Sequence, residues 1–138
     1  MTEVLPVLNR AIYALHSLNK VTELWKDKDP YDLYLYVRPD LFYKNKLDIF
    51  EIINNIKDNQ LYTMDRLHWG GINDCIYFGK YNTMLKIGNR INDLEKLLDC
   101  PYWAEPYLLR VINHYNITTI PIKFNYYRIR ANGEILQH

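Results

Sequence analysis

Apolar residues recur at steps of three and four along the first part of the chain. Val4, Leu8, Ala11, Ile12, Leu15, Leu18, Thr22 and Trp25 fall on one stripe, which predicts an amphipathic helix over residues 3–26. Thr2 is placed to cap it, and Pro6 falls in the first turn, where a missing N–H is tolerated. Tyr13, His16, Lys20 and Glu23 share the opposite face, so His16 reads as a solvated histidine rather than a ligand. The polar run KDKDP ends the helix. The period then drops to two. In YDLYLYVRP, Leu33, Leu35 and Val37 point one way and Asp32, Tyr34, Tyr36 and Arg38 the other, which predicts a strand. Its aromatic and charged face is expected to lie under a helix of the same domain, because a sheet packs both faces at least in part.

Helical spacing returns in LDIFEIINNIK, residues 47–57, with Ile49, Phe50, Ile52, Ile53 and Ile56 inward. LYTMDRLHW alternates weakly and reads as a strand. Residues 75–99 support two readings. One is a helix from Thr83 to Asp99 striped by Met84, Ile87, Ile91, Leu94 and Leu98. The other is a hairpin turning near Gly79–Thr83, then a helix from Asn89, favoured because Gly88 inside a helix costs about 1 kcal/mol relative to alanine. Pro101 and Pro106 frame another helix, with Glu105 at its positive end, Leu108, Leu109, Ile112 and Tyr115 on its apolar face, and HYN as its stop.

Alternation governs the C-terminus. Ile120, Ile122 and Phe124 occupy even positions, whereas Tyr127 and Ile129 continue on odd ones, so a bulge or break lies near Asn125–Tyr127. Asn132–Gly133 predicts a two-residue β-hairpin turn. In that register Ile129 faces Leu136, and Arg128 and Arg130 share the other face with Ile135. The whole pattern predicts one α+β domain, with about four helices packed on a small, mostly antiparallel sheet and a C-terminal β-hairpin.

Composition agrees with this picture. The chain has 138 residues, 49% of them hydrophobic and 24% charged, which suits one globular domain with a core of its own. The net charge of +1 supplies no global attraction to nucleic acid or membrane. Asn9, Arg10, His16 and Lys20 interrupt the N-terminal apolar run, so neither a membrane span nor a secretory signal is expected. Cys75 and Cys100 belong to no C-x-x-C pair and read as reduced thiols of a cytoplasmic protein. The 13 tyrosines, with abundant Asn, Ile and Lys, match the usage of AT-rich genomes such as those of many phages and mobile elements.

The polar-rich segment DRLHWGGINDC, residues 65–75, is the first place to look for chemistry. Asp65 and His68 are three apart, which opposes them on a strand, so they do not form a base and its orienter. Gly70–Gly71 marks a tight turn and matches no phosphate-binding loop. Trp69 would anchor that turn on the core. Cys75, Cys100, His68 and His114 offer zinc-type atoms without paired ligand spacing, so no metal or cofactor is expected.

The segment CIYFGKYNTMLKIGNRINDLEKLL, residues 75–98, resembles the paired-strand core of GIY-YIG nucleases. In that resemblance Ile76–Tyr77 stands for the first motif strand and Lys86–Ile87–Gly88 for the second. Glu105 stands for a metal-binding carboxylate on a following helix. The resemblance implies metal-assisted phosphodiester cleavage. It also implies an arginine in the helix after the second strand. Here Arg90 comes too early and Lys96–Leu97 occupies that region, and a lysine does not clamp phosphate in two places. A nuclease is therefore the alternative reading.

The leading expectation is non-enzymatic binding of another protein, in the manner of small inhibitors, immunity factors or mobile-element accessory proteins. Tyrosine and arginine dominate binding hot spots, and tyrosine has few rotors to freeze. The expected contacts are His68 and Trp69 in the central turn and Tyr126, Arg128 and Arg130 in the C-terminal hairpin. Nucleic acid is a second candidate partner, because KFNYYRIR interleaves aromatic and basic residues.

Overall fold

The computed structural model describes residues 4–28, 31–66, 68–97 and 104–137. Thr2, Leu98, Asp99, Cys100 and Pro101, which figure in the readings above, lie outside the described residues.

The N-terminal stripe folds as α1, Val4–Glu23, and buries Leu15 and Thr22. The Thr22 hydroxyl donates to Leu18 O at 2.9 Å and lies 2.6 Å from the Tyr36 hydroxyl, so this polar residue is satisfied inside the core. Strand β1, Tyr34–Val37, follows. Its tyrosine face is covered, as expected: the Tyr34 ring packs 4.4 Å from that of Trp25 and 5.7 Å from that of Tyr81. Its aliphatic face is the surprise, because Leu35 and Val37 remain exposed.

β2, Leu41–Tyr43, precedes α2, Ile49–Asn55. Asp48 caps α2 by accepting the Glu51 N–H at 3.0 Å. Of its predicted inward residues, Ile52 and Ile56 are buried, whereas Ile49 and Phe50 are exposed. β3 spans Gln60–Met64 and β4 spans Ile76–Gly79. α3, Tyr81–Gly88, follows after one residue, then a 3-10 turn over Arg90–Asp93. Neither reading of residues 75–99 holds: the first part is a strand, and the helix begins before Thr83 and stops at Gly88. Gly88 ends α3 at a close approach, since a Cβ there would sit 2.1 Å from Thr22 Oγ1 and 2.7 Å from the Tyr36 hydroxyl. α4, Ala104–His114, β5, Thr118–Ile122, β6, Tyr126–Ile129, and β7, Ile135–Gln137, complete the fold.

Two sheets form where one was expected. The larger has the order β1-β4-β3-β5, antiparallel except for the parallel pair β3–β5. The smaller is antiparallel, with the order β2-β6-β7. Alternation along the larger sheet divides the core. Leu61 and Tyr77 face a cluster with Leu15, Met84, Ile87, Leu108 and Val111 from the helices. Met64, Ile76 and Phe78 face a second cluster with Ile52, Leu41, Phe124 and Tyr126. All four residues of β4 are therefore buried, and burying a side chain such as Phe78 contributes about 2–3 kcal/mol.

The parity slip near Asn125 is the point where the chain leaves β5 for the smaller sheet. The hairpin beyond it has a three-residue loop instead of two. Gly133 N donates to Arg130 O at 2.8 Å, Arg130 N to Glu134 O at 2.8 Å, and Gly133 takes φ +82°. The extra residue moves the register by one, so Ile129 pairs with Ile135 and Arg128 with Leu136.

Candidate functional site

The central turn holds its shape through local hydrogen bonds. Gly71 N donates to His68 O at 2.7 Å, and Asn73 N donates to His68 Nδ1 at 3.2 Å. The buried Asn73 side chain gives a hydrogen bond to Arg66 O at 3.2 Å and accepts one from Cys75 N at 2.9 Å. His68 Nδ1 is thus an acceptor engaged with the backbone, and the imidazole pairs with Asn73 rather than Asp65. The two glycines have different tasks. Gly70 supplies a positive φ of +80°. Gly71 permits contact with α4: a Cβ there would lie 2.0 Å from the Glu105 carbonyl carbon and oxygen. Ile72 N donates to that same Glu105 O at 3.0 Å, fastening the turn to the start of α4.

Trp69 does not anchor the turn onto the core. Its side chain is 72% exposed, and its backbone is held at φ +44°, a left-handed conformation unfavourable for a bulky residue. Beside it opens a pocket of about 200 Å³, lined among others by Arg38, Asp74, Cys75, Glu105, Tyr126 and Arg128. The fold therefore brings Trp69, Tyr126 and Arg128 around one concavity, with His68 in the turn behind it. Arg130 is exposed where the hairpin begins to turn and does not line the pocket. Tyr126 needs a correction as a surface contact. It is 5% exposed and belongs to the second core cluster, with its hydroxyl 3.5 Å from Cys75 Sγ.

The pocket's two arginines are both paired with Asp40. Arg38 grips Asp40 with Nε to Oδ1 at 2.9 Å and Nη2 to Oδ2 at 2.7 Å, and Arg128 Nε approaches Oδ2 at 3.3 Å. The hydrogen bonds from Arg38 hold the Asp40 carboxyl down to about 2. Burial pushes the Cys75 thiol up. Burial, aided by Cys75, pushes the Tyr126 phenol up to about 12. Burial and then Asp74 push the Glu105 carboxyl up. A thiol shifted upward is poorly suited to nucleophilic attack, so Cys75 and Tyr126 stay protonated and are placed to donate hydrogen bonds. Arg38, Asp40 and Asp74 were not singled out in the sequence; only Arg38-Pro39-Asp40 carries a local signal, a cation and an anion two residues apart.

The resemblance to a paired-strand nuclease core does not survive in the backbone. Lys86–Ile87–Gly88 is the last turn of α3, not a strand. Tyr77 faces the helical cluster, bonded by Arg90 Nη1 at 3.1 Å, whereas Glu105 lines the polar pocket. Among the described residues no three His, Cys, Asp or Glu side chains are grouped to hold a metal ion, and no helix is long and apolar enough to cross a membrane. The chain matches no family model, no curated protein and no solved structure.

Proposed function

We propose that this chain is a small non-enzymatic binding protein whose partner is another protein, with Trp69 at the centre of the contact. One observation carries the reading: an indole 72% exposed on a left-handed backbone, beside a pocket that also holds Arg128. Backbone strain of this kind costs on the order of 1–3 kcal/mol and collects at functional sites. Exposed Trp with neighbouring Arg is the composition of a binding hot spot. The neutral thiol and phenol behind them provide hydrogen-bond donors without reactivity. A compact inhibitor, immunity factor or mobile-element accessory protein has these properties.

The test is recovery of partners from a lysate of the source cell by wild type, Trp69→Ala and Arg128→Ala, each with an unchanged circular dichroism spectrum. A protein captured by wild type and reduced at least tenfold by Trp69→Ala supports the reading. Equal capture by all three overturns it.

The outer face of the smaller sheet favours a second reading, single-stranded nucleic acid. Phe42 and Tyr127 are cross-strand partners on that face, and Lys44 Nζ lies 3.9 Å from the Tyr127 ring centre. Aromatic and cationic groups on an open sheet stack bases. Binding of a labelled oligonucleotide that weakens steeply with salt and is lost in Phe42→Ala would promote this reading over the first.

A further inference from the structure

A cleft of about 820 Å³ runs between α1 and β1. Its size falls within the range of about 300–1,000 Å³ usual for small-molecule sites. The walls are aliphatic: Ala14, Leu18 and Val21 from the helix, Leu35 and Val37 from the strand. Arg90 also lines this cleft, although it is only 5% exposed.

The bonding of Arg90 is lopsided. Nη1 donates to Ile87 O at 2.9 Å and to the Tyr77 hydroxyl at 3.1 Å. Nε is buried without a hydrogen-bond partner, Nη2 makes no hydrogen bond among the described residues, and the guanidinium carbon lies 5.7 Å from the Tyr77 ring centre. No carboxylate of the described residues forms an ion pair with this guanidinium. Asp93, three residues on, accepts from the Tyr115 hydroxyl at 2.8 Å and faces Lys96 at 3.8 Å. The other charges along the cleft are Arg38, Asp40 and Asp74, of which the first two bind each other. A buried guanidinium is costly to leave unpaired, and its Nε–Nη2 edge is the fork that matches a carboxylate. Arg38 grips Asp40 by that very edge.

We infer that this cleft binds a single-chain carboxylic amphiphile of the fatty-acid class, with its carboxylate at the Nη2 end of the Arg90 guanidinium and its tail between α1 and β1. One guanidinium complements one carboxylate. The aliphatic walls complement an alkyl chain. The hydroxyls of Tyr36 and Tyr107, which also line the cleft, are occupied by Thr22 and by the Arg90 carbonyl, which leaves few groups to recognise a sugar or a base. The site does not rest on the protein-binding reading.

Calorimetric titration of the full chain with decanoate, below its micelle concentration, tests the inference. The expected result is saturable one-to-one binding, at least tenfold weaker for 1-decanol, which has the same tail without the charge. Arg90→Met is expected to weaken decanoate at least tenfold. Ala14→Trp fills the cleft from an exposed helix position, leaves the circular dichroism spectrum unchanged, and is expected to abolish binding; it decides the matter alone if Arg90→Met does not fold. Absence of saturable decanoate binding, equal affinity for decanol, or decanoate binding undiminished in a folded Arg90→Met or Ala14→Trp overturns the inference. So does binding of an apolar peptide with a free C-terminal carboxylate where decanoate fails to bind.

Discussion

Arg38 and Arg90 are the same side chain in two neighbouring concavities, and they are solved differently. At the polar pocket Arg38 is half-exposed and its fork closes on Asp40, with Arg128 assisting from the hairpin. At the apolar cleft Arg90 is deeply buried, its Nη1 is tethered, and its fork meets no carboxylate of the described residues. A satisfied fork organises its own protein, here joining β1's exit to β6. An unsatisfied buried fork carries a cost that the approach to the Tyr77 ring offsets only in part and that an external anion would lower further. The difference separates residues that shape a site from residues that offer one.

The largest effects should come from separating each region from its support. Gly71→Ala drives a Cβ into the backbone of Glu105 and Pro106, which cannot rotate away. We expect a loss of about 3 kcal/mol or more by chemical denaturation, at the upper end for overpacking. Gly88→Ala is the counterpart beside the cleft. It meets the Thr22 and Tyr36 side chains, which have some freedom to yield, so about 2 kcal/mol is expected. If Gly71→Ala proved the milder of the two, the turn would be less firmly seated on α4 than its contacts imply.

These glycines also show where the sequence was readable. The 3.6-residue period exposed α1 and α4, because each buries one face against the core. It failed for residues 75–99 because β4 is buried on both sides and carries no alternation. The smaller sheet was hidden for another reason. β2 is three residues long, too short to show a period, and its partner lies more than 80 residues away. In the hairpin, one extra loop residue changed which residues face each other, a distinction that Asn-Gly alone does not encode. The convergence of Trp69 with Arg128 was anticipated only as two separate segments. Their meeting depends on Gly71, whose role is a contact with α4 invisible in local sequence.

Removing each arginine in turn gives the sharpest test of the comparison, because the expected signs differ. Arg38→Met leaves the partly buried Asp40 with only the weaker contact to Arg128, and should cost about 1 kcal/mol. Arg90→Met removes a buried charge that has no anion, and should gain about 1 kcal/mol even after Ile87 O and the Tyr77 hydroxyl lose their donor. Melting temperatures in the absence of any added ligand would shift in opposite directions. Matching losses would mean that Arg90 is structural after all.

Asp40 then supplies a pH signature that the cleft should lack. Its folded value, about 2, lies below the unfolded value of 3.8. The stability it contributes is therefore complete above about pH 4 and is lost as pH falls towards 2. Asp40→Asn should lower stability at pH 7 by about 1 kcal/mol, a figure kept small because the pair is partly solvated. The gap between variant and wild type should close as the solution is acidified through that window. A gap of constant size from pH 7 to pH 2 would show that the loss comes from packing rather than from the charge.

Glu105 should give the smallest effect, with the opposite sign. Burial first, and then Asp74, raise its folded value above the ordinary 4.5. Folding therefore takes up a proton in that range, so the group's contribution is most favourable below pH 4.5 and declines as pH rises through the folded value. Glu105→Gln keeps the shape and removes the charge, and should stabilise the protein at pH 7 by about 0.5 kcal/mol, an amount typical of partly exposed positions. The gain stays modest because the carboxylate also sits in the first turn of α4, where a negative charge is favoured. Paired melts at pH 7 and pH 4 decide the point: the advantage of the glutamine should vanish at the lower pH. A variant less stable than wild type at pH 7 would mean that the helix terminus outweighs burial and Asp74, and that the pocket beside Trp69 favours a carboxylate at this position.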